Sequence, residues 1–310
     1  MGWILLATAG QFLNAIVAIL DKYIVSDENA LPRPFVYAFY SCLLTGGWVL
    51  VYLLGFVPGL SNLGAPSYLN IQPPTLVVVA LAFLAAYTFF MALMSMFSAL
   101  KAADASNVMP IIGSVSALSA FGMSYLFLDA SLSHNFIFGI VILSAGTFLV
   151  SRSLPEREVV LYVIHAGLFF ALHAITMKGL FNETSFDDGF FWSRIGFVLF
   201  ALSLLLVPTY YLKITKQTKG TTKKTGAIVV LTKVLAGVAA FLLLKATDMG
   251  EVSVVQALDG LKFVFILIIS IVFAHYLPDS ATDRDTRPGT FFRKLLFVFL
   301  ILIGFIMLFA

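Results

Sequence analysis

Residues 75–104 read TLVVVALAFLAAYTFFMALMSMFSALKAAD, an apolar run that meets no charge before Lys101. At ~1.5 Å per residue, a helix of this length crosses the ~30 Å hydrocarbon core of a bilayer. Comparable runs recur along the chain and predict helices over about 2–23, 35–57, 74–100, 105–128, 133–152, 159–181, 188–209, 226–247, 251–277 and 291–309. Hydrophobic residues make up 60% of the chain and charged residues 11%, and the mean hydropathy is +1.00. So few charges cannot hold that much apolar surface in water, and the solvent of this chain is largely lipid. Lipid offers no partner to a free backbone N–H or C=O, which leaves helices or closed barrels. A barrel would alternate apolar and polar residues in ~10-residue segments. The expected fold class is therefore an all-α integral membrane protein with ten transmembrane helices.

The longer connectors, 62–74, 213–225 and 278–290, are polar, and none holds a soluble domain. Function is expected within the membrane or at its surfaces. Basic residues fall mostly on one side: Arg33, Lys101, Arg152 and Arg157, the run Lys213, Lys216, Lys219, Lys223 and Lys224, then Arg284, Arg287, Arg293 and Lys294. The other side carries Lys178 and Lys245 with acidic Glu183, Asp187 and Asp188. The positive-inside rule makes the basic side cytoplasmic and, with ten spans, puts both termini outside. The lysine run either contacts anionic lipid or simply fixes a cytoplasmic loop. A net charge of +3 spread over short loops implies no nucleic-acid partner. The single cysteine, Cys42, excludes an internal disulfide and reads as a packing residue. The first twenty residues lack a basic n-region and lead straight into the body, so they read as the first span. Asn182-Glu183-Thr184 has the form of a glycosylation sequon, relevant only in a secretory pathway. Short loops and no targeting segment favour a bacterial inner membrane.

Two segments match in kind. Leu100-Lys101-Ala102-Ala103-Asp104 joins the third span to the fourth, and Leu244-Lys245-Ala246-Thr247-Asp248 joins the eighth to the ninth. Lys22 and Lys178 close the first and sixth spans, after Ala15/Ala18 and Ala171/Ala174, and Gly146 and Gly304 lie in the fifth and tenth. These matches divide the chain into two five-helix repeats, 1–153 and 154–310. With an odd number of spans per half, the second half enters the membrane from the opposite side. A 5+5 plan is thus an inverted repeat, a recurrent plan of secondary transporters with the site between the halves near the midplane.

On these residues the chain resembles the drug/metabolite transporter superfamily in its EamA-like ten-helix form. The likeness is nearest in the first half. There Ser98-Ala99-Leu100-Lys101-Ala102-Ala103-Asp104-Ala105-Ser106 precedes Pro110, and Tyr125-Leu126-Phe127-Leu128-Asp129 precedes Gly139 and Gly146. The second half departs from the pattern: it has no counterpart of Pro110, and Glu251-Val252-Ser253-Val254-Val255-Gln256 stands there. Members of this size commonly have cytoplasmic termini, whereas the charge bias here points outside. The resemblance implies transport by alternating access. It spans exporters of amino acids and other metabolites, nucleotide-sugar carriers and sugar-phosphate exchangers, so it selects no substrate.

A charged side chain in hydrocarbon costs at least ~2.5–3.5 kcal/mol on insertion scales, so each one needs a reason. Gln256, Asp259 and Lys262 step by three along the ninth span and share a slowly drifting face. They read as a substrate-contacting stripe, or as a self-neutralising Asp259–Lys262 pair lining a bundle interface. Lys233, about 10 Å into the eighth span, either approaches the midplane or snorkels to the surface. Arg194, beside Trp192, either anchors at the outer interface or meets an anion at a gate. Gln11 and Asn14 stand near the middle of the first span. His165 and His173 lie in the sixth, as interhelical contacts or as ligands. Tyr40, Tyr87 and Asn107 are lesser candidates, and Gly113, Ser114, Ser116, Ala120 and Gly122 read as packing. The expected substrate-binding set is Asp259, Lys262, Gln256, Lys233, Asn14, Gln11, His173 and Arg194. Its cations outnumber its carboxylate, which favours an anion or a zwitterion.

No HExxH, Walker A segment, paired intramembrane aspartates or serine–histidine constellation stands out, so no enzyme, metal or cofactor is expected. The expected function is secondary transport of a small polar metabolite, such as an amino acid or organic anion. The protein would work as a monomer or homodimer in the bilayer, coupled to a proton or a counter-substrate. The alternatives are a flippase or carrier for a lipid-linked or phosphorylated sugar, and a non-transporting channel or signalling subunit.

Overall fold

The structure, a computed structural model, describes residues 2–26, 33–56, 66–128, 134–149 and 157–272, with positions 292, 296, 299, 300 and 303. Among these, every regular element is helical. In order they are α1 (Gly2–Ser26), α2 (Pro34–Gly46), α3 (Leu76–Ala102), α4 (Ala105–Phe127), α5 (His134–Leu149) and α6 (Arg157–Glu183). Then follow α7 (Phe186–Leu204), α8 (Pro208–Gly220), α9 (Lys223–Met249), α10 (Val252–Ala257) and α11 (Asp259–Val272). A 3-10 segment, Gly47–Phe56, continues α2. Among the described residues, 7 helical stretches are long and apolar enough to cross a membrane, or 8 if α7 and α8 form one broken span. This is an all-helical membrane protein. The expected tenth span and the connector 278–290 fall almost wholly outside the described residues, as do Asp129 and Gly304.

Two expectations change. The stretch 213–225, expected as a loop, is largely the helix α8, bent 98° from α7. Pro208 explains the bend: it has no N–H to give the helical ladder, so α7 ends before it and a new helix starts with proline in its first turn. The ninth span, expected as one helix, breaks at Leu258. There the Leu261 N–H bonds Leu258 O at 2.9 Å, a tightened turn only three residues long. α11 therefore begins at Asp259.

Three helix starts, those of α3, α7 and α9, are capped by side chains. Thr75, Ser185 and Thr222 each accept a backbone N–H from three residues ahead, which satisfies donors left over at a helix N-terminus. α1 packs along α9 and α3 along α6; α2 packs on α7, and α4 on α6, α10 and α11. Helices in lipid gain contact by close approach on small residues. A Cβ at Gly10 would meet Ala239 O of α9 at 3.3 Å, one at Gly167 would meet Ile112 O of α4 at 2.9 Å, and one at Gly196 would meet Ala82 O of α3 at 2.7 Å. The largest apolar cluster gathers Ile24, Tyr37, Cys42, Phe97, Ile112 and Phe197 from five helices.

Two lysines tie helix ends together. Lys22 of α1 donates to Leu100 O at 2.6 Å and Ala103 O at 2.9 Å, the closing carbonyls of α3. Lys178 of α6 donates to Thr247 O at 3.0 Å and Asp248 O at 2.7 Å, the closing carbonyls of α9. In each case an ammonium completes carbonyls that a helix C-terminus leaves without partners and sits well on its dipole. The segments capped are the two matched sequences, LKAAD and LKATD.

Candidate functional site

A cavity of about 190 Å³ opens among α1, α2, α3, α4, α6, α7, α9, α10 and α11. At ~30 Å³ per water, it holds about six waters or one small solute. All eight candidate residues line it: Gln11 and Asn14 of α1, His173 of α6, Arg194 of α7, Lys233 of α9, Gln256 of α10, and Asp259 and Lys262 of α11. Their convergence is a tertiary fact, since the spans carrying them are far apart in the chain.

On α11, Lys262 Nζ donates to both carboxylate oxygens of Asp259, at 2.6 and 2.8 Å. The spacing of three places the pair on one face, so both the cavity-lining reading and the self-neutralising reading apply to it. Asp259 sits in the first turn of α11, where the helix dipole favours a negative charge. Gly113 of α4 makes room for it, because a Cβ there would stand 2.8 Å from Asp259 Oδ2. Gly113 thus serves the carboxylate as well as helix packing. Ser116, one turn on, donates to Gln256 Oε1 at 2.8 Å.

Lys233 does not snorkel. Its ammonium is buried and bonds Asp21 Oδ1 at 2.9 Å. It also lies over the Tyr37 ring, 4.1 Å from the centroid. The Tyr37 hydroxyl donates to the same Asp21 oxygen. A buried ion pair withstands its desolvation only when further hydrogen bonds complete it, and Tyr37 supplies one. Asp21 is absent from the sequence-derived set, although it lines the cavity. A signal was there: Gln11, Asn14, Ala18 and Asp21 follow the helical period along one face, and all four line the cavity.

Arg194 is not an interface anchor. It is 2% exposed, and the contact with the segment before α3 belongs to Trp192, whose Nε1 donates to Gln72 O at 2.9 Å. The guanidinium carbon stands 4.6 Å from the ring centroids of both Phe190 and Phe197. Nε donates to Ser193 Oγ at 3.3 Å. Among the described residues, Arg194 makes no ion pair; the pairs are Lys233–Asp21, Lys245–Asp248 and Lys262–Asp259. The aromatic faces offset part of the charge, by ~2 kcal/mol when desolvated.

The neutral polar groups divide. A ring nitrogen of His173, Nδ1, donates to Ala85 O at 3.0 Å, so it is an interhelical contact on the cavity wall. His165 bonds Ser95 Oγ at 2.7 Å and lies off the cavity. Gln11 is 3% exposed, and among the described residues its Oε1 has no hydrogen-bond partner. Asn107 Oδ1 is also buried without one, away from the cavity lining. The cavity thus holds three cations, Arg194, Lys233 and Lys262, against two carboxylates, Asp21 and Asp259.

No protein-family model and no curated protein matches the sequence. Solved structures do. One, described as "Crystal structure of protein", superposes with a TM-score of 0.62 at 16% identity, over 97% of this chain and 96% of its own. At that identity the likeness speaks for the fold alone.

Proposed function

We propose that this protein is a secondary transporter of a small polar metabolite, anionic or zwitterionic, of the EamA-like drug/metabolite type. On this reading ten spans form two inverted five-helix repeats, 1–153 and 154–310. The observation that carries the proposal is the polar cavity, where five charged side chains from α1, α7, α9 and α11 meet inside a bundle whose lipid-facing surface is apolar. Ionisable groups at such depth are costly and mark solute pathways in membrane proteins. The reciprocal packing of α1 on α9 and α3 on α6 supports the inverted repeat. So do the two lysine contacts, which join the first helix of each half to the end of its third. A repeat of this kind makes two facings of one packing nearly equal in energy, so differential binding of a solute can shift the population between them.

The protein is read as resident in a bacterial inner membrane, with the basic side cytoplasmic, both termini outside and no catalytic activity. Counterflow in liposomes tests the function. Purified protein is reconstituted in vesicles loaded with unlabelled amino acids or organic anions, and uptake of the labelled solute is followed. Saturable accumulation that Lys262→Ala abolishes is expected. Vesicles that move none of these solutes in either direction would refute the proposal.

A further inference from the structure

The cavity charges differ in how they are balanced. Lys262 holds Asp259 through two bonds, and Lys233 holds Asp21, which Tyr37 also serves. Each of those cations has its counter-charge. Arg194 has none among the described residues, although it is 2% exposed and lines the same cavity. A charge buried without a counter-ion is penalised by several kcal/mol, and the two flanking rings recover only part of that. Among the described residues, Arg194 is the cavity cation with no carboxylate paired to it. On the opposite account, Gln11 Oε1 is a buried acceptor that receives no donor among the described residues, a deficit of about 1–3 kcal/mol.

We infer, resting on the transport reading, that the solute is a small monocarboxylate whose carboxylate seats on Arg194 and whose ammonium or hydroxyl group donates to Gln11 on the wall of the same cavity. The planar guanidinium fork matches a carboxylate through two parallel N–H···O bonds. With Phe190 and Phe197 on the guanidinium, the remaining donors are those left to a ligand. What Arg194 lacks is one carboxylate at its own guanidinium, which an amino acid supplies as well as a hydroxy acid, the ammonium of the former going to Gln11. A phosphate monoester would bring a second negative charge with no cation to receive it, and a neutral sugar would leave Arg194 unbalanced. The volume of about 190 Å³ accommodates a small α-amino or α-hydroxy acid.

The test is ligand-induced thermal stabilisation of the purified protein in nanodiscs, in chloride-free buffer. The panel comprises the small α-amino acids, lactate and glycerate, the carboxamides of the same compounds, succinate, inorganic phosphate, chloride and glucose. At least one monocarboxylate is expected to stabilise the wild type, with its carboxamide weaker by about 30-fold or more, the loss typical of truncating one partner of a buried charge pair. Arg194→Gln is expected to lose that binding while remaining monodisperse, and Arg194→Lys to retain part of it. Gln11→Leu is expected to weaken the amino or hydroxy acid more than the matching simple carboxylate. Should Arg194→Gln fail to fold, the wild-type contrast of acid against carboxamide still decides.

The inference is overturned if no monocarboxylate binds, if acid and carboxamide bind alike, or if phosphate, chloride, succinate or glucose is the strongest ligand. Binding that survives Arg194→Gln also overturns it. Binding without counterflow would sink the transport reading and leave this site standing. Counterflow of a neutral solute would do the reverse.

Discussion

The buried pair of Asp21 and Lys233 makes a quantitative prediction. In Asp21→Ala, Lys233 keeps its buried position with no counter-charge, and the Tyr37 hydroxyl loses its acceptor. Removing one partner of a buried pair costs about 3–5 kcal/mol, and an orphaned buried hydroxyl adds about 1 kcal/mol. Asp21→Asn keeps an oxygen for Tyr37 and should be milder than Asp21→Ala by about that amount. Lys233→Met leaves Asp21 with only Tyr37 and should cost a similar 3–5 kcal/mol. The double variant Asp21→Ala/Lys233→Met has neither charge, so it should be more stable than the sum of the two losses by at least ~2 kcal/mol. The measurement is unfolding in a defined detergent for wild type, both singles and the double, giving the coupling energy directly. Additive losses, or single losses below ~0.5 kcal/mol, would refute the reasoning, because they would mean that the ammonium and the carboxylate do not depend on each other.

Three further predictions follow from particular contacts. Gly113→Ala should leave the fold intact but place a Cβ 2.8 Å from Asp259 Oδ2 and so displace that carboxylate; counterflow should therefore fall well before thermal stability does, and equal loss of both would count against a role for that carboxylate. Lys22→Met should destabilise by about 1.5–3 kcal/mol, the range for hydrogen bonds to a charged group. Lys178→Met should cost less, because Lys178 is only half-buried and solvent can replace its bonds; thermal melts of the two variants side by side check the order. In Thr218→Cys the new thiol lies on an exposed position of α8, while the native Cys42 is buried. A membrane-impermeant maleimide should therefore label it from the cytoplasmic side only, and labelling from outside intact cells would contradict the orientation.

How much of this was legible in the sequence differs by element. The spans α3, α6 and α9 were readable because each is a long apolar run, and in lipid the backbone has no alternative to a helix. The Asp259–Lys262 pair was readable because a spacing of three fixes it locally. The bend at Pro208 was signalled, since proline cannot continue a helix ladder, yet the lysines beyond it suggested a loop and masked α8. The break at Leu258 carries no such signal: no glycine or proline lies immediately before it, and the tight turn belongs to the packing of α10 and α11 against α4. Arg194 and Lys233 carried two readings each, because distance along a helix from its end does not say whether a flexible side chain turns inward or snorkels.

Sequence by itself determined that this protein lives in lipid, that it is helical and where its scarce charges sit. Those follow from local quantities: run length, hydropathy, and the need to pair every backbone polar group within its own helix. Only the tertiary structure decided which charges face one another. It set Asp21 against Lys233 across 212 positions of chain, enclosed Arg194 between two phenylalanines, and paired it with no carboxylate among the described residues. The physical reason is range. A helix forms from neighbours three and four residues apart, whereas the balance of charge in a cavity depends on groups brought together by the packing of nine helices.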